Sequence, residues 1–286
     1  MLHPFYQWNF PDPDFPFSIL ENPAHGSFSL HRHHFVEIVY IIAGHGTHSI
    51  NDSVSTIEAG DCFVIPTDSV HGYADATALH LVNILFDPRL LEPFQQELNA
   101  LPGYHALFTL EPSYRRQHDS RGRLRPTLAQ RLAITETVRQ LLAEWKGRKP
   151  GYRGKTLALF LQLLIDVSRY YQESEQKPSA QLVQIGAAIS KIEQDYASPL
   201  SIRELAESVN MSERNLARRF REGVGMTPID YLIHLRIRRA SQLLRDTPHS
   251  VAEIAAAVGM EDSNYFTRQF KRLMGVSPRD FRQDQR

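Results

Sequence analysis

The sequence has little cysteine, no excess charge and no long apolar run. It contains a single cysteine, Cys62, among 286 residues, so an internal disulfide is impossible and a reducing compartment is expected. Residues 1–17 lack the basic and then apolar order of a signal peptide. The most apolar stretch, 157–165, is far shorter than the roughly 20 apolar residues that cross a bilayer. These absences predict a cytoplasmic protein with no membrane partner.

The charges are balanced overall but unevenly distributed. The chain carries 32 lysines and arginines against 32 aspartates and glutamates, which argues against a uniformly basic nucleic-acid binder. From residue 181 onward, however, sixteen basic residues stand against thirteen acidic ones, so the last third is net positive. Its basic residues concentrate on two predicted helices, and a local patch of this kind is what docking to a phosphate backbone requires.

The last third of the chain is a duplication. Matching residues stand forty-nine positions apart at first, as for Pro199 and Pro248, and fifty apart after one inserted residue, as for Phe220 and Phe270. Further matched pairs are Ser201 with Ser250, Ala206 with Ala255, Val209 with Val258, Met211 with Met260, Leu216 with Phe266, Gly225 with Gly275, and Pro228 with Pro278. Such a repeat indicates that one structural unit occurs twice.

Each copy has the signals of two short helices joined by a turn. Ser201 with Glu204 forms a predicted capping box, and the apolar residues that follow recur at helical spacing. Asn210 suits the left-handed conformation that ends a helix, Ser212 caps the next helix, and Gly225 stops it. Because the second copy repeats this arrangement, the sequence predicts two helix-turn-helix units.

The second helix of each unit carries a polar face that suits DNA. Apart from its apolar positions, the first copy presents Arg214, Asn215, Arg218, Arg219 and Arg221, and the second presents Asn264, Tyr265, Thr267, Arg268, Lys271 and Arg272. Arginine fits the N7/O6 edge of guanine and asparagine the N6/N7 edge of adenine, whereas residues near the helix ends meet phosphates. A solvated face on a helical bundle is the alternative, but two such faces in register favour DNA contacts.

A long helix is predicted between the two units, over residues 228–246. At a rise of about 1.5 Å per residue it would span roughly 27 Å. Two reading helices one turn of DNA apart are separated by about 34 Å. The predicted helix is therefore a suitable strut between two DNA-reading helices.

Several residues of the second copy form a signature: Ile254-Ala255, Gly259, Tyr265-Phe266, Phe270-Lys271, Gly275, Ser277-Pro278 and Arg282. Over about ninety residues this region resembles the AraC/XylS family of transcription regulators. Met260 and Phe281 stand where that family usually has phenylalanine and tyrosine, and both remain apolar fillers. The resemblance implies double-stranded DNA with operator half-sites as the partner. It places the base contacts on Arg214, Ala217 and Arg218, and on Asn264, Thr267 and Arg268.

The first ninety residues are rich in predicted strands. Runs of β-branched and aromatic residues separated by turn residues predict strands at 35–42, 47–50, 53–57, 61–65 and 79–86. Several short strands with regular turns indicate a small sandwich or barrel. The predicted fold class is α+β and multidomain. It combines an N-terminal β-barrel flanked by helices with a C-terminal all-α domain of two helix-turn-helix units joined by a long helix.

Histidines and a glutamate recur in this β region at a defined spacing. The pattern is His31-x-His33-x3-Glu37-x6-Gly44, followed by Gly60-x5-Pro66-x4-His71. These stretches resemble the two motifs of the cupin superfamily over about fifty residues, which implies a cupin-like barrel. The second motif is partial, because Asp68 replaces its usual glycine and the asparagine after His71 is missing.

Three interpretations of His31, His33, Glu37 and His71 remain open. The four residues contact a small molecule through hydrogen bonds, bind a transition metal such as iron, zinc or manganese, or are satisfied polar groups of the core. Because cupins attached to DNA-binding domains generally act as sensors, we favour a small-molecule effector site, with no metal or other cofactor. The 31–44 region, Asn83-x-Leu85 and the ending Ser277-Pro278-Arg279-Asp280 resemble rhamnose-type sugar regulators, which implies a carbohydrate.

The middle of the chain is predicted to be helical. The expected helices lie at 90–101, 128–145 and 155–171, and the arginine-rich stretch 113–126 is expected to be a solvated loop. Residues 157–165 are apolar all round except Gln162, which predicts packing against the barrel and against a second subunit. The resemblance likewise implies a homodimer. Residues 172–181, which are polar and contain a proline, are the predicted linker.

These observations predict four segments and one function. The segments are an effector-sensing barrel at 1–90, a dimerisation segment at 91–171, the linker at 172–181 and the DNA-binding domain at 182–286. The predicted function is that of a non-enzymatic, sequence-specific DNA-binding transcription regulator controlled by a sugar or sugar derivative bound in the barrel. An activator and a repressor both remain open, and RNA polymerase is a further candidate partner. Two alternatives from other classes are a metal-dependent cupin enzyme with a helical accessory domain and a helical protein-interaction module without salt-dependent DNA affinity.

Overall fold

The computed structural model describes residues 10–51, 53–115, 123–174 and 177–283. The chain forms two compact units, Met1–Gly186 and Ala187–Arg286. Within the ranges described, every helix is too short or too polar to cross a membrane. The predicted combination of a sheet-rich first domain and a helical second domain is confirmed.

The first unit is built on six antiparallel strands. They are β1 (Phe17–His25), β2 (Phe28–His31), β3 (Val36–Ile50), β4 (Ser53–Glu58), β5 (Cys62–Ile65) and β6 (His71–Phe86). The order across the sheet is β1-β6-β3-β4, with β2 paired to β6 and β5 paired to β3. The described strands form an open sheet, so the cupin-like domain is present without the closed hydrogen-bonded barrel that the sequence predicted.

The strand β3 is continuous where the sequence predicted two strands, at 35–42 and 47–50. The turn signal at Ala43-Gly44 is instead an irregularity in the ladder between β3 and β6. Gly44 has a φ of 78°, and a side chain there would overlap the carbonyl oxygen of Ala78, so glycine is required. The sequence analysis missed β1 and β2 because Asn22-Pro23 and Gly26 interrupt their apolar pattern.

Helices cover the sheet of the first unit. After β6 come a 3-10 helix (Pro88–Phe94), α1 (Gln95–Asn99), α2 (Pro102–Tyr104), a π-helical turn (His105–Leu110), α3 (Glu111–Arg115), α4 (Leu128–Gly147) and α5 (Tyr152–Gln172). The ring of Phe17 on β1 lies 5.4 Å from Trp145 of α4 and 5.1 Å from Phe160 of α5. The prediction that the apolar helix α5 packs on the β-domain is therefore confirmed.

Arg123 is buried, contrary to the prediction of a solvated loop at 113–126. Its guanidinium lies 3.6 Å from the carboxylate of Asp61 and donates to the carbonyl oxygen of Thr56 at 2.7 Å. It also stands 4.9 Å from the ring of Phe63. A carboxylate that is distant in sequence thus draws this arginine into the core. Arg116 and Arg121 lie outside the described residues, and Arg125 is exposed.

The helix α6 (Lys177–Asp195) replaces part of the predicted linker at 172–181. Residues 175–176 lie outside the described ranges, but residues 177–181 are helical. A polar stretch with proline suits the first turn of a helix as well as a linker, because proline's missing N–H leaves no helical hydrogen bond unmade there. The boundary between the two units follows Gly186, within α6.

The second unit consists of the end of α6, the duplicated helices and the strut between them. Its further helices are α7 (Ile202–Ser208), α8 (Glu213–Val224), α9 (Pro228–Asp246), α10 (Val251–Ala257), α11 (Ser263–Met274) and α12 (Pro278–Gln283). Ile237, Ala240 and Leu244 of α9 share one apolar core with α10 and α11. Met260 and Phe281 join this core, so both departures from the family pattern act as packing residues.

The predicted helix ends are confirmed. Ser201 and Glu204 form a capping box, and the side chain of Ser212 accepts a hydrogen bond from the N–H of Asn215 at 3.3 Å. Asn210 has a φ of 54° and Gly225 one of 86°, both in the left-handed region. Local residue chemistry therefore fixes where each of these helices begins and ends.

Candidate functional site

The four residues singled out in the first unit come together inside the β-domain. His31 ends β2 and pairs directly with His71 at the start of β6, while Glu37 lies near the start of β3. His33 lies between β2 and β3, and its ring stacks on Phe35 with centroids 3.8 Å apart. All three imidazoles and the carboxylate are buried.

The Glu37 carboxylate connects the group. One of its oxygens lies 3.1 Å from Nε2 of His33 and 3.6 Å from Nε2 of His71. One ring nitrogen from each of His31, His33 and His71 lies within 4.8 Å of the others. These nitrogen and oxygen atoms are thus close enough together to contact one small group.

The protonation of this cluster follows from its burial. Burial lowers the pKa of His71 to about 4 and lowers that of His31 as well, which keeps both imidazoles neutral at pH 7. Burial alone would raise the pKa of Glu37, but the hydrogen bond from His33 and electrostatic interactions with the three histidines lower it below the ordinary value. The cluster therefore presents the Glu37 carboxylate beside the imidazoles of His31 and His71, whose pKa values are lowered.

A cavity of about 330 Å³ opens in front of these side chains. Residues from β1, β2 and β6 complete its wall, among them Asn22, His25, Phe28, Tyr73, Asn83 and Leu85. Sequence analysis missed Asn22 and His25 because β1 was not recognised as a strand. The sequence analysis named Asn83 only as part of a resemblance to sugar regulators. Its inward direction depends on the register of β6, which the local sequence pattern does not reveal.

The polar face of α8 is available to a partner. Leu216 and Phe220 are buried, whereas Arg214, Arg218 and Arg221 are exposed. Asn215, Ala217 and Arg219 are half-buried along the same helix. The predicted separation of an apolar inner face from a basic outer face is therefore present in the first copy.

Two side chains of α8 hold its central arginines in place. The guanidinium of Arg218 donates to the carboxylate of Glu222 at 2.7 Å and to Oδ1 of Asn215 at 3.2 Å. Nε of Arg219 donates to the same Asn215 oxygen at 3.0 Å. Glu222 was not predicted as part of this surface, although its position four residues after Arg218 is the signal for such a pair.

The helix α11 presents the matching surface of the second copy. Phe266 and Phe270 are buried, while its exposed polar residues include Asn264, Tyr265, Arg268, Lys271 and Arg272. The half-buried Thr267 donates its hydroxyl hydrogen to the carbonyl oxygen of Ser263 at 2.8 Å. The guanidinium of Arg268 lies 6.0 Å from the ring of Tyr265, so one side of this arginine rests on an aromatic surface.

Comparison with known proteins divides the chain in the same way. Residues 17–164 match the family described as "AraC-like ligand binding domain", and residues 205–284 match "Helix-turn-helix domain". The HTH-type transcriptional activator RhaR of Mannheimia succiniciproducens is 30% identical, over 89% of this chain and 87% of its own. RhaR of Yersinia pestis strain Angola is 32% identical, over 94% of this chain and 89% of its own. A solved AraC-type regulator from Chromobacterium violaceum is 30% identical, covers 37% of this chain and 96% of its own, and gives a TM-score of 0.35.

Proposed function

Because this chain belongs to the AraC family of transcriptional regulators, we propose that it binds an operator through α8 and α11 and responds to a small carbohydrate in its β-domain cavity. The observation that carries this proposal is the combination, in one chain, of two exposed basic helices and a buried polar cavity. Since both relatives are named transcriptional activators, we further propose activation, with RNA polymerase as a partner, in the cytoplasm where bacterial DNA is transcribed.

Arg218 and Arg268 are the proposed principal base readers. They are exposed and stand at corresponding positions of the two copies. A guanidinium can bind the O6/N7 edge of guanine with two hydrogen bonds. Arg214 and Asn264 correspond to each other one turn earlier, where asparagine suits adenine. Ala217 offers only a methyl contact, so the first unit reads sequence mainly through its arginines.

The remaining polar residues on these helices position the protein on the duplex. This set comprises Asn215, Arg219, Arg221, Tyr265, Lys271 and Arg272. Their side chains reach phosphate oxygens or support the readers, as the contacts of Asn215 with two arginines illustrate. Phosphate contacts add affinity for any sequence but carry no sequence information directly.

Fluorescence anisotropy with an operator selected from random duplexes tests these roles. Arg218→Ala and Arg268→Ala should each lose about 1–3 kcal/mol on the operator and relax the preference at one base pair. Arg219→Ala and Lys271→Ala should instead weaken operator and scrambled DNA alike and reduce the salt slope by about 1.

Arg203→Ala is the matched control, because Arg203 is exposed on α7 and paired with Glu207 at 2.9 Å. It removes the same charge from the same unit but from outside the reading helices. Parent-like binding of both operator and scrambled DNA by Arg218→Ala and Arg268→Ala would show that the assigned readers are wrong.

The cavity chemistry supports a sugar or sugar derivative as the effector. Its volume of about 330 Å³ falls at the small end of ligand sites, and it combines polar groups with walls such as Phe28. A thermal-shift screen with mono- and disaccharides should give a raised melting temperature for one class, because binding stabilises the folded state. His33→Ala should abolish that shift, whereas His45→Gln, which changes an exposed β3 histidine, should retain it.

We propose that the chain is a regulator and not an enzyme. The rival is a metal-dependent sugar enzyme that uses the same histidines and Glu37. Incubation of metal-loaded protein with each sugar that raises its melting temperature, followed by chromatography, distinguishes the two. Recovery of unchanged sugar is expected, and accumulation of product beyond the protein concentration would favour the enzyme.

A second copy of this chain is the proposed partner of α5. Leu157, Leu161 and Ile165 lie four residues apart on this helix and are only half-buried. A homodimer would cover these three apolar side chains. It would also bring two DNA-binding units, each with its own α8 and α11, to adjacent half-sites. Sedimentation velocity at micromolar concentration should show a dimer for the parent and a monomer for Leu161→Glu. A parent that stays monomeric at that concentration would exclude this arrangement.

A further inference from the structure

The two reading helices carry opposite charges at one matched position. Glu222 of α8 corresponds to Arg272 of α11, because matched residues in this part of the duplication stand fifty positions apart. Both lie four residues after the proposed readers, Arg218 and Arg268. The copies therefore keep the reading arginine and reverse the charge one helical turn further on.

The stability of α8 gives no reason for a carboxylate at residue 222. Because α8 ends at Val224, Glu222 lies in its last turn, beside the negative end of the helix dipole, which disfavours an acidic side chain. α11 instead has Lys271 and Arg272 in its last turn, where the dipole favours cations. The pair of Arg218 with Glu222 also has the cation first, which is the weaker order for residues four apart on a helix. The carboxylate is therefore explained better by what α8 binds than by the helix itself.

Glu222 lies on the same side of α8 as the arginines expected to read bases. Arg214, Arg218 and Glu222 follow one another at intervals of four residues, which places them on one face of a helix. The guanidinium of Arg218 donates to the Glu222 carboxylate at 2.7 Å, so the two groups meet at the surface. Leu216 and Phe220 face the core instead. If α8 enters the major groove with Arg218, it brings this carboxylate along.

A carboxylate in the major groove needs a hydrogen-bond donor there. The phosphates of the duplex are negatively charged and repel it. The base edges present the acceptors N7, O6 and O4 and the amino groups of adenine and cytosine, and N4 of cytosine is the donor that glutamate binds. Cytosine at a position next to the guanine of Arg218 supplies this donor, whereas thymine at the same position presents O4, which repels a carboxylate.

We propose that Glu222 is a specificity-determining residue, whose carboxylate accepts a hydrogen bond from N4 of a cytosine beside the guanine that Arg218 reads. The inference rests on the proposed role of Arg218 and adds a second base pair to the sequence that α8 recognises. The matched Arg272 of α11 has no such requirement, because phosphates attract a cation whatever the sequence. The first unit thus selects two neighbouring base pairs where the second gains affinity for any DNA.

Selection of operators from random duplexes by the full chain, followed by fluorescence anisotropy, tests this role. The guanine is identified as the base at which Arg218→Ala relaxes the preference. Beside it, the parent should favour cytosine over thymine by at least about fivefold. Glu222→Gln should lose most of this preference, because an amide can donate to thymine O4 as well as accept from cytosine N4. Glu222→Arg, which copies the second unit, should bind scrambled DNA more tightly and steepen the salt slope by about 1.

Glu207→Gln is the matched control. It removes the same charge from the first unit, but from α7, where Glu207 is paired with Arg203 at 2.9 Å. The side chains of Glu207 and Glu222 are 63% and 54% exposed, so neither substitution removes a core contact, and both variants should melt like the parent. Glu207→Gln should keep the parent's preference for guanine and for cytosine.

The outcomes separate a base contact from a supporting role. An unchanged cytosine preference in Glu222→Gln would overturn the contact. A loss of preference confined to the guanine would show that Glu222 only orients Arg218, and would overturn the contact as well. In both cases the proposed function stands if Arg218→Ala relaxes its guanine. If Arg218→Ala relaxes no base pair, the proposed readers are wrong and the role of Glu222 is refuted with them.

Discussion

Substitution of Arg123 by methionine should be among the most destabilising single changes in the first unit. Arg123 is 2% exposed and Asp61 is 3% exposed. Besides this ion pair, the guanidinium donates to the Thr56 carbonyl oxygen and to the hydroxyl of Ser55. Methionine fills much of the same volume, so the variant chiefly removes the charge and its hydrogen bonds. The buried Asp61 carboxylate then loses its ion pair and keeps the hydrogen bond from the N–H of Glu58 at 3.1 Å.

The expected loss of folding stability in Arg123→Met follows from the desolvation of the Asp61 carboxylate. Breaking a buried ion pair from one side costs about 3–5 kcal/mol, because the remaining charge is uncompensated. Burial already raises the pKa of Asp61, and Arg123 opposes that rise. Since a raised folded-state pKa means that the native state binds more protons, stability decreases as pH rises through this range. The loss in Arg123→Met should therefore shrink as the pH falls towards the raised pKa of Asp61.

Urea unfolding followed by tryptophan fluorescence is the appropriate assay. Trp145 lies in α4 of the first unit, and the sequence of the second unit contains no tryptophan, so the signal reports on the first unit. For an m-value of about 2 kcal/mol/M, the midpoint should fall by about 1.5–2.5 M. Arg139→Met is the matched control, because its pair with Glu136 is exposed and should contribute less than about 1 kcal/mol.

The double variant Arg123→Met/Asp61→Leu separates charge from packing. Replacing both partners of a buried pair by apolar residues is often neutral or stabilising, so most of the loss should be recovered. A single variant as stable as the parent at pH 7 would refute the reasoning. A double variant as unstable as the single one would show that the hydrogen bonds to Thr56 and Ser55, and not the orphaned charge, determine stability.

Three further outcomes are expected. Gly259→Ala should destabilise the second unit by about 1–3 kcal/mol in thermal melts, because Gly259 has a φ of 75° and its new Cβ would stand 2.5 Å from the Ala197 carbonyl oxygen; Gly225→Ala, which meets no neighbour, should cost less. Ser250→Ala should cost about 1 kcal/mol in the same melts through loss of its capping box. Burial raises the pKa of Cys62 to about 12, so a thiol reagent at pH 8 should react with it only after unfolding.

The second unit was largely predictable from sequence because its signals are local. Ser201, Asn210, Ser212 and Gly225 each act within one turn of helix, so their effect does not depend on residues far along the chain. Because the unit occurs twice, the same local signals are present in both copies. The pairing of Arg218 with Glu222 also has a local signal, their four-residue spacing, but the sequence analysis did not use it.

The first unit was less predictable because its contacts join distant residues. The burial of Arg123 depends on its ion pair with Asp61. The inward direction of the Asn83 side chain depends on the register of β6 with β1 and β3. Gly44 was predicted to form a turn between two strands, but it lies within the single strand β3. The grouping of the three histidines with Glu37 was predicted from the resemblance of their stretches to two cupin motifs, but only the structure gives the orientations of the rings.

The ion pair between Arg218 and Glu222 has a consequence for how the protein searches a chromosome. Both side chains are more than half exposed, so the pair contributes at most about 1 kcal/mol. In the proposed DNA complex, the guanidinium of Arg218 would have to leave this carboxylate before it could bind a base. Two hydrogen bonds to a guanine would outweigh the ion pair, whereas a mismatched base would offer less in return. The proposed reading of sequence by Arg218 would thus include an internal competitor that a matched site overcomes most readily.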